Sequence, residues 1–581
     1  MKNLYTLKKY FVRYKKKLFL GILFILLSNI GTVYIPLFLR DAINGLQNQI
    51  SLEKLLYYCI LIIGASAVAG FFRFLIRETI IVVSREIEFD LRKDFWKHIQ
   101  KLPLRYFQNN STGNVMAHAT NDINAVRTFL GPAVMYSLDT SVRLIIVISI
   151  MISLNFSLTI YSLLPLPILS FLVYKVSSII HFKFTKIQEK FSELTTKAQE
   201  NFSGIRVVKS YVREENEILK FNEISKDYLK KNMNLVKTQA LFYPLLFLIT
   251  GLSIIIVIWL GGIKVIENQL DLGEITAFIV YLGILIWPMI AFGWVINIIQ
   301  QGEASMKRLN KIYSEPFEIT DSENTDYSIK DLKGDIEFKD VTFKYGNNLP
   351  KILDGINLKI PHGSTLAIMG FTGAGKTSLI NLIPRLYDCT EGKILIDGKN
   401  IKEIPLNILR SNIGLVQQEA FLFSDTIKNN LSYGLDDFEE NKIFNAAKLS
   451  NLDEEINSFP NGYETIMGER GITLSGGQKQ RASLARALVT NPQILILDDS
   501  FSAVDTHTEE QILKNLIDYT HNRTTIIISH RISTVKNADK IIVLNNSKIV
   551  EEGTHDQLLA KEGIYSDLHF KQLLEKELEE I

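Results

Sequence analysis

The sequence contains little cysteine and no excess of charge of either sign. Its two cysteines, Cys59 and Cys389, lie far apart and not in a CxxC spacing, which argues against a disulfide framework or a zinc site. Lys and Arg total 64, and Asp and Glu total 62. This balance gives no electrostatic reason to expect nucleic acid as a partner.

Long apolar runs are abundant, but only before about residue 300. A helix that crosses a membrane needs roughly 20 predominantly apolar residues. Six segments meet this requirement, at residues 18–40, 55–79, 132–154, 158–180, 241–265 and 274–300. The rest of the chain has the pattern of a globular α/β domain. The sequence therefore predicts an integral, multi-pass membrane protein with a globular second half.

The charge of the connections indicates the orientation in the membrane. The stretch between the fourth and fifth spans carries twelve Lys or Arg, whereas the short connections at 44–53, 155–157 and 266–273 carry few. Because basic residues accumulate on the cytoplasmic side, both termini are expected in the cytoplasm. The half-size architecture favours a bacterial inner (cell) membrane.

The first 17 residues include seven Lys or Arg and no acid. They lack an evident cleavage site for a signal peptidase. Apolar residues at helical spacing, namely Leu4, Leu7, Phe11 and Tyr14, favour an amphipathic elbow helix lying on the inner membrane surface. A disordered basic leader is the alternative.

The two long inner connections, at 81–130 and 181–240, are poor in Gly and Pro. Structureless loops of this length are uncommon, so we expect the spans to continue as helices into the cytosol. Within the third span, Asp139 and Arg143 lie four residues apart on one helix face. They represent either a polar patch on a translocation cavity or a structural ion pair. We expect helix kinks at Pro165, Pro167 and Pro288.

The second half contains a complete phosphate-binding motif, GxxxxGK[ST], at residues 370–377. A strand-like run precedes the motif and a helix-like run follows it, which is the context that a P-loop requires. Backbone N–H groups of such a loop surround phosphate oxygens, its Lys approaches the β- and γ-phosphates and its hydroxyl faces Mg²⁺. The candidate ATP-binding residues are Gly370, Thr372, Gly373, Ala374, Gly375, Lys376, Thr377 and Ser378.

An apolar run at 494–497 ends in two carboxylates, Asp498 and Asp499. A buried strand would deliver Asp498 beside the phosphate loop, where it would hold Mg²⁺ together with Thr377.

Between these motifs stands Leu474-Ser475-Gly476-Gly477-Gln478, and here the sequence closely resembles the ATP-binding cassette (ABC) family. The resemblance implies that Ser475, Gly476, Gly477 and Gln478 contact the γ-phosphate of ATP bound to another subunit. The protein would then act as a dimer, since one cassette alone completes neither site.

Other family elements are present. By resemblance, Tyr345 stacks on adenine, Gln418 binds Mg²⁺ and couples to the membrane domain, Asp505 belongs to the loop that crosses the dimer interface, and His530 contacts the γ-phosphate. A core tyrosine and a core histidine are the alternatives for Tyr345 and His530, and the choice of Gln418 over Gln417 rests on alignment by eye.

The resemblance extends to the long inner connections. Residues 107–113 with 121–122 are similar to the exporter pattern before the first coupling helix, and residues 200–209 to the second. Residues 468–471, just before the signature, resemble an exporter loop that touches these helices, although an ordinary charged surface turn has the same composition.

Together these observations predict the fold class: an α-helical six-span transmembrane domain of the ABC exporter type, followed by an α/β P-loop nucleotide-binding domain. The expected boundaries are an elbow helix at 1–17, the transmembrane domain at 18–312, a linker at 313–334 and the nucleotide-binding domain at 335–581.

One position departs from the family pattern, because active members usually carry Glu where this chain has Asp499. That carboxylate is expected to act with His530 and Gln418 in hydrolysis, and Asp is shorter by one methylene, about 1.5 Å. The chain's own site should therefore hydrolyse ATP slowly, which favours a heterodimer with a second half-transporter over a homodimer.

The expected activity is ATP-driven export or flipping of small amphipathic compounds or lipids. A homodimeric lipid flippase and an ATP-gated channel are the alternatives.

Overall fold

The structure is a computed structural model that describes residues 2–346, 348–435, 437, 439–468 and 474–579. The chain divides into two compact units. The first comprises Met1–Gln100 and Ser111–Glu315, and the second comprises Lys101–Asn110 and Pro316–Ile581.

The first unit contains six helices that are long and apolar enough to cross a membrane. They are span 1 (Lys15–Gln47), span 2 (Leu52–Ile99), span 3 (Thr112–Leu154), span 4 (Phe156–Ser203), span 5 (Glu214–Ile266) and span 6 (Leu272–Tyr313). Each contains one of the six predicted segments. Spans 2 to 5 continue far beyond about 20 residues, so the prediction that the long inner connections are helical is confirmed.

Several spans change their helical geometry locally. Span 2 contains a π-helical turn at Arg77–Ile81, and span 3 contains two, at His118–Asp122 and Phe129–Ala133. Span 4 is interrupted at Leu164, immediately before Pro165, because proline has no N–H for the helical hydrogen bond. Pro288 lies within the continuous helix of span 6.

The N-terminal segment forms a 3₁₀ helix at Lys2–Leu7 and a short α-helix at Lys8–Arg13. Leu7 and Tyr10 are buried. Three basic side chains among the first 17 residues pair with acids on the extension of span 2: Lys9 with Asp94 at 2.8 Å, Arg13 with Asp90 at 2.9 Å and, at the start of span 1, Lys17 with Glu86 at 2.6 Å. Part of the predicted basic face therefore binds the protein.

Two short helices separate the long ones, Leu104–Asn109 between spans 2 and 3 and Ile205–Ser210 between spans 4 and 5. The first overlaps the pattern at 107–113 instead of following it, and Asn121 and Asp122 lie inside the helix of span 3. The position expected for the first short helix was therefore too late in the chain, whereas the second overlaps its pattern at 200–209 and ends one residue beyond it.

The second unit contains two sheets. A four-stranded antiparallel sheet has the order β2-β1-β4-β5, with β1 Ile336–Phe343, β2 Leu353–Ile360, β4 Glu391–Ile396 and β5 Lys399–Asn400. A six-stranded sheet has the order β10-β9-β3-β8-β7-β6, with β3 Thr365–Gly370, β6 Ile413–Val416, β7 Ile494–Asp498, β8 Thr524–Ile528, β9 Lys540–Asn545 and β10 Lys548–Gly553.

Strands β6, β7, β8, β3 and β9 are mutually parallel, and every residue of β7 and β8 is buried. Continuous apolar runs suit such strands because helices cover both faces of a parallel sheet. The helices are α1 Lys376–Asn381, α2 Leu406–Ser411, α3 Ile427–Leu431, α4 Glu440–Leu449, α5 Asp453–Ser458, α6 Gly476–Leu488, α7 Thr506–Thr520, α8 Ile532–Val535, α9 His555–Ala560 and α10 Ile564–Glu579.

Candidate functional site

The carboxyl ends of four neighbouring parallel strands form one edge of the large sheet. The chain continues there from β3 into the phosphate loop, from β8 to His530, from β7 to Asp499 and from β6 to Gln418. This edge is where open α/β sheets bind ligands.

A cavity of about 340 Å³ lies at this edge, and most of the predicted site residues line it. They are Tyr345, Thr372, Gly373, Gly375, Lys376, Thr377, Ser378, Gln418, Asp498, Asp499 and His530. Gln418 lines the cavity, and its assignment over Gln417 stays a prediction.

The phosphate loop requires glycine at specific positions. Gly373 and Gly375 have φ angles of +85° and +98°, a region in which residues with a Cβ are rare. A Cβ on Gly375 would also lie 2.8 Å from the carbonyl oxygen of Ile352. The loop therefore turns with its backbone, and α1 begins at Lys376 directly behind it, as an anion-binding loop does.

The Lys376 ammonium is held inside the loop. Its Nζ donates hydrogen bonds to the carbonyl oxygens of Gly370 at 2.8 Å and Phe371 at 3.0 Å. Burial lowers the pKa of Lys376, and the nearby carboxylates of Asp498 and Asp499 oppose that shift. An anionic group in the cavity would offer this cation a better partner than neutral carbonyls.

Thr377 and Asp498 meet across the site, with the threonine hydroxyl donating to the carboxylate at 2.9 Å. Asp498 is buried, and burial together with the adjacent Asp499 raises its pKa, against the effects of Thr377 and Lys376. A buried carboxylate, a hydroxyl and the amide of Gln418 provide the oxygen donors that Mg²⁺ prefers. The residues present therefore fit a magnesium ion.

Asp499 has an unusual backbone conformation, with φ of +48°. Its N–H donates to the carbonyl oxygen of Ile528 at 3.0 Å, which ties the end of β7 to the end of β8. Asp and Asn adopt this left-handed region several-fold more readily than most side chains. The local backbone thus suits the shorter carboxylate.

Tyr345 is half-buried and its hydroxyl lies 2.9 Å from that of Ser378. Its ring makes edge contacts with Phe343 and Tyr387 at centroid distances of 4.9 and 5.2 Å. The tyrosine therefore packs against the core of the small sheet and also lines the cavity, and stacking on adenine stays a prediction.

His530 is exposed to the cavity, and a residue far along the chain holds its backbone. The Gln572 side chain of α10 donates to the carbonyl oxygen of His530, and its amide oxygen accepts from the N–H of Ile532 at 2.9 Å. Gln572 was not predicted, because nothing in its local sequence relates it to a histidine 42 residues earlier.

The signature residues lie outside this cavity. Ser475 caps α6 by accepting from the N–H of Gln478 at 3.2 Å, and the Gln478 side chain accepts in return from the N–H of Ser475 at 2.8 Å. Gly476 and Gly477 form the first turn of α6, where free N–H groups favour an anion. Residues 474–478 thus form a second, separate surface.

This second surface packs against the 502–505 loop. Gln480 contacts Ser502 Oγ at 2.8 Å and the N–H of Ala503 at 2.9 Å. A Cβ on Gly477 would lie 2.8 Å from the carbonyl oxygen of Ala503, so glycine permits the close approach. Asp505 ends the loop and caps α7 by accepting from the N–H of Thr508 at 3.0 Å.

Within the phosphate loop, two predicted positions are not among the described residues that line the cavity, Gly370 and Ala374. Gly370 ends β3 and supplies the carbonyl that holds Lys376, and Ala374 packs against the core. Of the loop predicted at 468–471, residues 469–471 lie outside the described residues.

Comparison with known proteins agrees with this architecture. Residues 18–289 match the family "ABC transporter transmembrane region", and residues 353–502 match the family "ABC transporter". The first match runs from span 1 into span 6, and the second runs from the start of β2 past the signature and the paired carboxylates.

The chain is similar over nearly its whole length to curated proteins. It is 36% identical to a probable multidrug resistance ABC transporter ATP-binding/permease protein of Bacillus subtilis, over 98% of this chain and 96% of that protein. It is 38% identical to an ATP-dependent lipid A-core flippase of Desulfotalea psychrophila, over 84% of this chain and 85% of that protein.

A solved structure shows the same fold. A bacterial Atm1-family ABC exporter with ATP bound superposes with a TM-score of 0.79 at 28% identity, covering 96% of this chain and 98% of that one. The chain therefore belongs to the ABC exporter family, as an integral membrane protein with six spanning helices and an ATP-binding domain that powers transport.

Proposed function

We propose that this protein is one half of a dimeric exporter that uses ATP to move amphipathic compounds across a bacterial inner membrane, with both termini in the cytoplasm. We infer a dimer from the separation of the two anion-binding surfaces. The phosphate loop lines one cavity, and the signature at 475–478 contributes nothing to it. A signature from a second cassette would complete the site.

Within one site, each residue has a distinct proposed role. The loop amides of 372–375 and Lys376 bind the phosphates, and Tyr345 packs against the adenine. Thr377, Asp498 and Gln418 hold Mg²⁺, which would neutralise phosphate charge when bound. His530 contacts the terminal phosphate, and Asp499 orients the attacking water. In the partner's site, this chain supplies Ser475, Gly476, Gly477 and Gln478 as the clamp, while Asp505 anchors the adjoining loop.

The chain's own site is proposed to hydrolyse ATP slowly. A catalytic group displaced by about 1 Å can lose about 100-fold in rate, and Asp499 is shorter than the usual glutamate by about that distance. Its intact signature, by contrast, can serve a competent partner site. This asymmetry supports a heterodimer with a second half-transporter over a homodimer.

The substrate class is suggested by the relatives and by the spans. The relatives include a probable multidrug resistance transporter and a lipid A-core flippase, whose names refer to drugs and to a lipid. Spans 1 to 6 offer mostly apolar side chains to such a substrate. A small amphipathic compound or a lipid is therefore the proposed cargo.

The test of this proposal is ATP turnover by the purified full-length chain in lipid nanodiscs, alone and with a candidate partner half-transporter. We expect slow turnover alone and a large increase with a partner whose own site carries glutamate. Lys376→Ala in this chain should abolish ATP binding at its site, whereas Lys359→Ala, at an exposed lysine of β2, should have no effect. Rapid turnover by the chain alone, lost on Asp499→Ala, would contradict the heterodimer.

A further inference from the structure

Glu509, in the first turn of α7, is a buried carboxylate to which the proposed reaction gives no role. It is 2% exposed, and a buried charge is costly unless a partner and hydrogen bonds compensate it. Its N–H donates to the carbonyl oxygen of Asp505 at 2.9 Å. Glu509 is therefore attached by its backbone to the end of the 502–505 loop.

The donors that bind this carboxylate come from the other side of β8. The Arg531 guanidinium and the Thr534 hydroxyl both donate to it. Arg531 directly follows His530, and Thr534 lies in α8. Hydrogen bonds to an ionised group are stronger than those between neutral groups, so the carboxylate joins α7 firmly to the segment that begins at His530.

Arg531 also contacts the 502–505 loop itself. Its Nη1, which binds Glu509, lies 3.3 Å from the carbonyl oxygen of Val504. One guanidinium thus connects the loop, the first turn of the helix after it and the backbone beside His530. Several donors in one rigid plane suit this bridge, whereas a lysine would provide a single point of charge.

The bridge adds a second constraint on the backbone around His530. Gln572 holds that backbone from α10, and Arg531 ties it to α7 and to the 502–505 loop. Stability alone is a weak reason for such a buried pair, because apolar residues of similar volume often serve as well or better. A role in holding two loops in register is the stronger explanation.

We propose that Glu509 is a positioning residue for ATP hydrolysis, which acts through Arg531 to fix His530 relative to the 502–505 loop. The inference rests on the proposed function, in which His530 contacts the terminal phosphate in this chain's own site. The 502–505 loop, beside the signature, belongs to the surface that completes the partner's site. One buried carboxylate then sets the geometry of a group in each site.

The first test is amide hydrogen exchange of the full-length protein in lipid nanodiscs without nucleotide. The N–H of Val504 donates to Phe501 at 3.0 Å, and that of Thr534 donates to Arg531 at 3.2 Å. In Glu509→Gln both amides should exchange at least about tenfold faster, because the charged hydrogen bonds that join their segments are weakened.

The matched control for this measurement is Glu510→Gln. Glu510 is the exposed neighbour of Glu509 on α7, so its substitution should leave both exchange rates unchanged. Unchanged exchange at either amide in Glu509→Gln would overturn the proposal.

The second test separates catalysis from nucleotide binding. Hydrolysis by the chain alone reports its own site, and hydrolysis with a competent partner half-transporter reports the site that this chain's signature completes. Glu509→Gln should lower kcat in both assays by about tenfold or more and leave the KM for ATP unchanged, since the phosphate loop keeps its contacts. A higher KM with unchanged kcat, or a loss in one assay only, would contradict the proposal.

A double variant separates positioning from a general loss of stability. Glu509→Gln leaves the Arg531 cation without a charged partner, which can itself destabilise the fold. Glu509→Leu/Arg531→Met removes both charges, so the thermal midpoint should be maintained while kcat stays low. Recovery of kcat in the double variant would show that the unpaired charge caused the defect, and would overturn the proposal.

Failure of this inference is distinguishable from failure of the proposed function. Turnover that does not increase with a competent partner would contradict the proposed function, and the exchange measurement, which needs no nucleotide, would still decide the role of Glu509. If the unaltered protein hydrolyses ATP as proposed and Glu509→Gln matches it in both tests, only the role of Glu509 is refuted.

Discussion

Lengthening the side chain of Asp499 by one methylene group tests its proposed role directly. In Asp499→Glu the carboxylate advances by about 1.5 Å into the cavity that Lys376 and His530 also line. If about 1 Å of displacement accounts for about 100-fold in rate, hydrolysis at this site should rise by about that factor. ATP binding should change little, since the residues that contact the phosphates are untouched.

The same substitution has a structural cost that can be estimated. Residue 499 has φ of +48°, and the left-handed region disfavours glutamate relative to aspartate by about 1 kcal/mol or less. We therefore expect a small decrease in the thermal midpoint of unfolding together with the faster reaction. The backbone conformation explains why aspartate is well tolerated here.

The assay is single-turnover hydrolysis of ATP by the full-length dimer, compared among the unaltered protein, Asp499→Glu and Asp499→Asn. Asparagine keeps the shape and the backbone preference but removes the charge, so hydrolysis at this site should fall further. A glutamate variant that is no faster, with an asparagine variant that is no slower, would refute the assignment of Asp499 to catalysis.

Three other substitutions give separate tests. Gly477→Ala places a methyl group within 2.8 Å of a backbone carbonyl of the 502–505 loop, so ATP trapping by the dimer should fall about tenfold or more, while ATP binding to the isolated site persists. Gln572→Ala removes the side chain that binds the carbonyl of His530 and the N–H of Ile532, so ATP hydrolysis should fall several-fold with nucleotide affinity unchanged. Unaltered hydrolysis would show that α10 does not position the histidine. Arg13→Glu breaks an ion pair with Asp90 and should lower the stability of the membrane unit by up to about 1 kcal/mol, and the exchange Arg13→Asp/Asp90→Arg should restore the thermal midpoint.

Local patterns predicted the architecture well. A membrane helix can be identified from a local run of about 20 apolar residues, without knowledge of distant contacts. The phosphate loop can be identified in the same way, because its backbone conformation requires glycine at fixed positions. The strand before the loop and the helix after Ser475 were predicted for the same reason, and the structure has β3 and α6 in those places.

Features that depend on distant partners could not be predicted. The basic N-terminal segment was expected on a membrane surface, and only the fold shows that Lys9, Arg13 and Lys17 meet acids spaced by four residues on span 2. Gln572 has no local signature.

The closure of the two cassettes on ATP tests the central claim most directly. Lys393 is an exposed residue of β4 and provides the labelling position. In a full-length dimer whose Cys59 and Cys389 are replaced by serine, spin labels attached at Lys393→Cys report the distance between the cassettes by double electron–electron resonance. ATP should shorten this distance in the unaltered protein and in Lys359→Ala, but not in Lys376→Ala. A distance that ATP leaves unchanged when Lys376 is intact would contradict the account.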